Sequence, residues 1–182
     1  MKRTGFKRLT YAEIIAKQKP IKATFKAMKR KPINKVSKDP TKKLQKKLYN
    51  ISHTFVRRRD SIDPDKIGGY CFDCREYAEG AQFQAGHWIP DAGGGAILRY
   101  HPHNMNGQIG KCNCKYQQEF VKINYTFAMQ KKYGKEYCDF LLDLRNKGKL
   151  IKADSIFYHR MIELYEAGDE QNIVEYLHSL IK

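Results

Sequence analysis

Four of the five cysteines fall between positions 71 and 114, in two close-set pairs. Cys71-Phe72-Asp73-Cys74 has the spacing of a zinc knuckle, and Cys112-Asn113-Cys114 offers a second pair. Zinc takes four ligands in a tetrahedron, so two half-sites separated by a loop can close one structural site. The second pair is one residue tighter than the usual C-x2-C. It supplies either both thiols or Cys112 alone, with His103 as the substitute ligand. An odd count with this clustering argues for metal ligation in a reducing compartment and against a disulfide framework. Cys138, alone on an apolar helical face near Tyr137 and Leu141, reads as core.

Between the two halves lie the other residues able to do chemistry. His87 stands in Ala85-Gly86-His87-Trp88-Ile89-Pro90, and an imidazole there can ligate metal, carry a proton or simply pack beside Trp88. Asn104 and Asn113 are chemically versatile, but asparagine in such loops usually serves turns and caps. Asp91, four residues past His87, is either a further metal ligand or a turn residue before Gly93.

The elements that must position these groups are uneven. Residues 70–114 are short segments rich in Gly, Asn, His and Cys, too poor in apolar side chains to pack alone, so bound metal must supply part of their stability. Ahead of them, Leu44, Leu48, Ile51 and Phe55 recur at intervals of four, three and four, the period of one helical face. Lys42, Lys43, Lys46, Lys47 and Arg57 occupy the other side of that helix. After Cys114 the pattern is helical, with Gly134, Gly148 and Gly168 at expected helix ends and Asp154 as a cap. One core is expected for a chain of this length.

Charge divides the chain sharply. Residues 1–59 hold 20 Lys and Arg against only Glu13 and Asp39, while residues 60–182 hold 15 basic and 17 acidic side chains. The net charge of +16 therefore belongs to an arm, and most of residues 1–42, with Pro20, Pro32 and Pro40 among lysines, is expected to be disordered until bound. Each phosphate neutralised by Lys or Arg releases counterions, so nucleic acid is the partner such an arm suits best. Lys42, Lys43, Lys46, Lys47, Arg57, Arg58 and Arg59 are the candidate nucleic-acid contacts. No run approaches the roughly 20 apolar residues that cross a bilayer, and no apolar signal segment follows the basic start. A soluble protein of the cytoplasm is expected, in the host cell if a phage encodes it.

The order of these pieces resembles the phage NinG/Rap family of recombination endonucleases. The residues carrying the likeness are Phe55-Val56-Arg57-Arg58-Arg59-Asp60, Cys71-x2-Cys74, Ala85-Gly86-His87, Leu98-Arg99-Tyr100, Asn104, Gln108 and Cys112-Asn113. More distantly, two zinc half-sites with an Asn after the last cysteine resemble the phage resolvase endonuclease VII. The resemblance implies an HNH-type ββα-metal site that cuts branched DNA such as Holliday junctions and D-loops. His87 would be the general base, Asn113 a ligand of Mg²⁺ or Mn²⁺, and Asn104 the residue that steadies the loop. The cysteines Cys71, Cys74, Cys112 and Cys114 would hold structural Zn²⁺. Two departures stand out. Many HNH sites carry an Asp metal ligand directly before the base, where this chain has Gly86, and Ile109 stands where family members have a zinc cysteine.

The resulting expectation is an α+β protein. It has a basic arm over 1–42, a basic amphipathic helix over 43–60, a zinc-stapled HNH-like core over 61–125 and C-terminal helices over 126–182. Its activity would be metal-dependent hydrolysis of DNA phosphodiesters, with a homodimer suited to paired incisions. The competing expectation is a zinc-stabilised DNA- or RNA-binding protein without catalysis.

Overall fold

The computed structural model describes residues 40–63, 65–114 and 119–181, without the side chains of 91–94, 119 and 120. The expected disordered arm therefore lies, except for its last three residues, outside the described residues. Those three are helical: α1 runs Pro40–Arg59, with Pro40 in the first turn, where a missing N–H costs nothing. Leu48, Ser52 and Val56 are the buried positions of α1, and Leu44, Ile51 and Phe55 flank them. Lys42, Lys43, Lys46 and Lys47 are exposed.

Two small antiparallel sheets follow. Strands β1 (Gly68–Tyr70) and β2 (Tyr77–Glu79) pair with Gly68 opposite Glu79 and Tyr70 opposite Tyr77. Strands β3 (Phe83–His87) and β4 (Met105–Ile109) pair with Phe83 opposite Ile109 and His87 opposite Met105. The long connection between β3 and β4 contains α2 (Asp91–Arg99), broken at Gly95, and a tight turn at Pro102–Asn104. A short helix α3 (Gly110–Cys114) leaves the end of β4 directly. Phe72 N–H donates to Gly107 O at 2.8 Å, which fastens the turn after β1 to β4.

The remainder is helical: α4 (Glu119–Tyr133), α5 (Lys135–Lys147), α6 (Ser155–Ala167) and α7 (Glu170–Ser179). The molecule is thus α+β with helices predominating. The division drawn at 125 falls inside α4, so the sheets and the C-terminal helices share an element and are not separable there. Asp154 caps α6 by accepting Phe157 N–H at 2.9 Å, and Gly168 ends it with φ 75, a left-handed conformation that favours glycine. Gly148, by contrast, has an ordinary helical φ of −63.

One core was expected, but the apolar interior forms two main clusters. Leu48, Tyr100, Met161, Tyr165, Ile173 and Leu177 join α1, α6 and α7. Trp88, Leu98, Tyr125, Met129, Leu141 and Leu144 join the β3–α2 connection to α4 and α5, with Cys138 buried among them. On α4 the period places Tyr125 and Met129 inside while Ile123 and Phe127 stay 47% and 66% exposed. No helix among the described residues is long and apolar enough to cross a membrane.

Arg59 links the parts. Its guanidinium donates to both carboxylate oxygens of Asp60 at 2.8 and 2.9 Å, to Glu170 at 2.6 Å, and to the carbonyls of Pro102 and Met105 at 3.0 and 2.8 Å. Burial disfavours its charge, but Asp60 more than offsets that, and the guanidinium is held above its ordinary pKa. Asp60 also accepts Gly107 N–H at 2.7 Å. Arg59, a candidate nucleic-acid contact, is therefore placed as an internal strut, its side chain 15% exposed and bonded to these internal partners.

Candidate metal centre and adjoining cleft

The β1–β2 turn carries Cys71 and Cys74 because Cys71 N–H donates to Glu76 O at 2.8 Å and Arg75 N–H turns back to Cys71 O at 3.0 Å, with Arg75 at φ 64. The start of α3 brings Cys112 against them. The three sulfurs lie within 4.8 Å of one another, and Cys112 and Cys74 are 3.6 Å apart. Thiolates about 2.3 Å from a zinc ion would have tetrahedral edges of roughly 3.8 Å, so the cluster can hold a metal ion such as zinc. Burial, with the neighbouring thiols adding to it, raises the pKa of Cys71 and Cys112, so both favour the thiol until a cation draws off the protons.

Cys114 is not among the three. It is exposed, on the far side of α3, because residues two apart on a helix point about 200° away from each other. His103 is also elsewhere, stacked on Tyr133 at 4.7 Å and bonded through Nδ1 to Tyr137 Oη at 2.8 Å. Ile109 packs in the small cluster with Cys71 and Cys112. Metal analysis of purified variants should follow this division. Cys112→Ser is expected to lose the bound ion and Cys114→Ser to keep it; equal retention in both would contradict the three-sulfur site.

A cleft of about 320 Å³ opens beside this centre, lined by His53, Arg57, Gln84, Ala85, His87 and Asn113, with Tyr49 and Ala81 at its margin. His87 ends β3 and bonds through Nε2 to Arg99 O at 2.9 Å. A carbonyl can only accept, so Nε2 is the ring nitrogen that donates in this bond. Asn104 fixes the loop that makes this bond possible. Fully buried, it accepts Ile89 N–H at 2.8 Å and donates to Ile89 O at 3.0 Å and Leu98 O at 2.9 Å. It thereby ties the residues after His87 to the residue before Arg99. Asn113 donates from Nδ2 to Gln84 Oε1 at 2.9 Å.

Of the basic candidates, Arg57 lies in the cleft and donates to Gly80 O at 2.5 Å. Arg58 is exposed, and Lys47 pairs with Glu166 at 2.8 Å on the surface. Asp91 opens α2, and its side chain is outside the described residues. The sequence reading missed His53, Tyr49 and Gln84. Tyr49, His53 and Arg57 are four residues apart along α1, and that spacing was a usable sign that they share a face.

Position 86 explains the missing carboxylate. A Cβ built on Gly86 would lie 1.6 Å from Gln108 Oε1 and 3.1 Å from Asn113 Oδ1. The Gln108 side chain already occupies the space that a residue at 86 would need. The Gly86 carbonyl is held from behind by Tyr125 Oη at 2.8 Å.

Fold and centre together define a small α+β protein built on a three-cysteine cluster able to hold a metal ion and an antiparallel strand pair that runs into a short helix. The family model described as Bacteriophage Lambda NinG protein matches residues 2–168, and the chain belongs to this NinG family of phage proteins. Comparison with curated proteins and with solved structures gave no match.

Proposed function

We propose that the chain is an HNH-type, metal-dependent DNA endonuclease acting on branched recombination intermediates. The observation that carries this reading is His87, held through its Nε2–H by Arg99 O at the edge of a cleft that also contains Asn113 and Arg57. The chain order supports it: a histidine on the first strand of a hairpin, an asparagine in the loop, and an asparagine on the helix that follows the second strand.

In this reading His87 Nδ1 takes the proton from an attacking water, and the Arg99 carbonyl keeps the ring aimed while it does so. Arg57 offers positive charge to the phosphate in the cleft. Asn113 is the residue suited to hold a divalent ion, which when bound as Mg²⁺ or Mn²⁺ neutralises charge on the scissile phosphate and on the leaving oxygen. Zinc at Cys71, Cys74 and Cys112 holds the scaffold and has no part in the cutting step. The preference for branched DNA rests on the family, and the exposed lysines of α1 supply contacts indifferent to sequence.

The test is a cutting assay on a synthetic four-way junction and its matched linear duplex, with Mg²⁺ or with EDTA, at one stated salt concentration. Magnesium-dependent cutting of the junction in preference to the duplex is the expected result. Tight binding without cutting under Mg²⁺ or Mn²⁺ would overturn the enzyme reading and favour a zinc-stabilised binding protein.

A further inference from the structure

Gln108 has no surface exposure, yet one of its polar atoms is unmatched. Its Nε2 donates to the Asp73 carboxylate between the two knuckle cysteines, while Oε1 has no donor among the described residues. A buried amide oxygen left without a donor is disfavoured, because it has given up water without gaining a partner. The half-buried Asn113 amide also donates through its nitrogen, to Gln84 Oε1 at 2.9 Å, and its Oδ1 lies near the same point as Gln108 Oε1. Both oxygens converge over the bare face of Gly86, beside His87, at 1.6 and 3.1 Å from the point where a Cβ would sit. Two carbonyl dipoles aimed at one small volume repel unless something positive lies between them. Asp73, bonded to the nitrogen end of the Gln108 amide, draws its N–H and enriches the oxygen, as outer partners do for ligands of hard cations.

We propose that Gln108 is a ligand of the divalent cation used in the reaction, paired with Asn113 and replacing the carboxylate that position 86 lacks. The ion's place in catalysis rests on the nuclease reading above; the cation site itself does not. Mg²⁺ and Mn²⁺ prefer oxygen ligands in octahedral geometry and keep several waters, so two amide oxygens make a third of a site, which waters and DNA phosphate oxygens complete. Two uncharged ligands bind such an ion weakly, and its affinity should rise when phosphate is present.

Mn²⁺ binding to the zinc-loaded full chain, followed by loss of the free-ion electron paramagnetic resonance signal, tests the assignment. Gln108→Leu should weaken Mn²⁺ binding about ten-fold or more with zinc content unchanged, the range typical of a lost ligand-shell partner. Asn113→Asp should tighten binding, and adding Gln108→Leu should remove most of that gain. Should Gln108→Leu fail to fold, the native chain still decides. Substoichiometric Mn²⁺ should broaden the side-chain amide resonances of Gln108 and Asn113 before those of other residues, and their persistence would overturn the proposal. Binding that depends on Gln108 in a chain that never cuts DNA would leave the site standing and defeat the nuclease reading. Cutting by a chain whose Mn²⁺ affinity ignores Gln108 would do the reverse.

Discussion

His87→Ala should lower the rate of junction cutting by about 10²–10⁴-fold, the usual contribution of a positioned general base, while leaving junction affinity within about two-fold. The separation follows from geometry. In the proposed reading His87 contributes one proton acceptor to the cleft, whereas affinity for DNA would be spread over the exposed lysines of α1 and Arg57 and Arg58. The imidazole is partly exposed and its Nε2 bond is to a backbone carbonyl, so the fold should survive truncation. Single-turnover cutting and a binding titration on the same junction would measure both numbers. Added imidazole should restore part of the rate, because the vacated volume opens to the cleft. A fall in affinity equal to the fall in rate would instead mark His87 as a binding residue.

Arg59→Ala should destabilise the protein by about 3–5 kcal/mol, the cost of removing one partner from a buried ion pair. The loss has two sources. Asp60 and Glu170 lose the cation between them, and the Pro102 and Met105 carbonyls lose their donor. Burial alone would raise the Asp60 pKa, but hydrogen bonds from Arg59 outweigh it and hold the carboxyl below its ordinary value of 3.8. A depressed carboxyl contributes stability that is complete above its unfolded pKa and fades as pH falls through the folded one. In chemical denaturation the native chain should therefore lose this contribution below about pH 4. The Arg59→Ala chain should show a flatter dependence there, and an unchanged unfolding midpoint at pH 7 would refute the strut.

How far the sequence could be read depended on whether a feature is local. Cys71 and Cys74 sit in one tight turn, so their spacing alone conveys their meeting, and Cys112 was within reach as the nearest remaining thiol. Whether Cys114 joined Cys112 stayed open because the C-x-C spacing hides helical rotation, and it is α3 that leaves the second thiol exposed. The run Arg57-Arg58-Arg59 divides for the same reason. Successive helical residues turn by about 100°, so one arginine enters the cleft, the next faces solvent and the third enters the interior. The partners of Arg59 come from a loop and a helix up to 111 residues away, which no pattern within α1 can reveal. Asn104 was legible as a loop residue, but its bonds to Ile89 and Leu98 depend on the course of the whole β3–β4 connection. That most of the described residues are helical was readable from the sequence periods, although on α4 the period did not tell that Ile123 and Phe127 remain at the surface.

The overlap of Gln108 with the empty position at Gly86 makes these two sites alternatives. A side chain can stand at one only if the other gives way. Gly86→Asp alone should be poorly tolerated, since its first carbon would collide with a fully buried amide. Gly86→Asp together with Gln108→Gly should be accepted much better than the sum of the two separate effects, a non-additivity visible in a double-mutant cycle of stability. The pair then acts as one interchangeable oxygen donor, presented from β3 in one arrangement and from β4 in the other. Drift at either residue would be constrained by the state of its diagonal neighbour on the other strand.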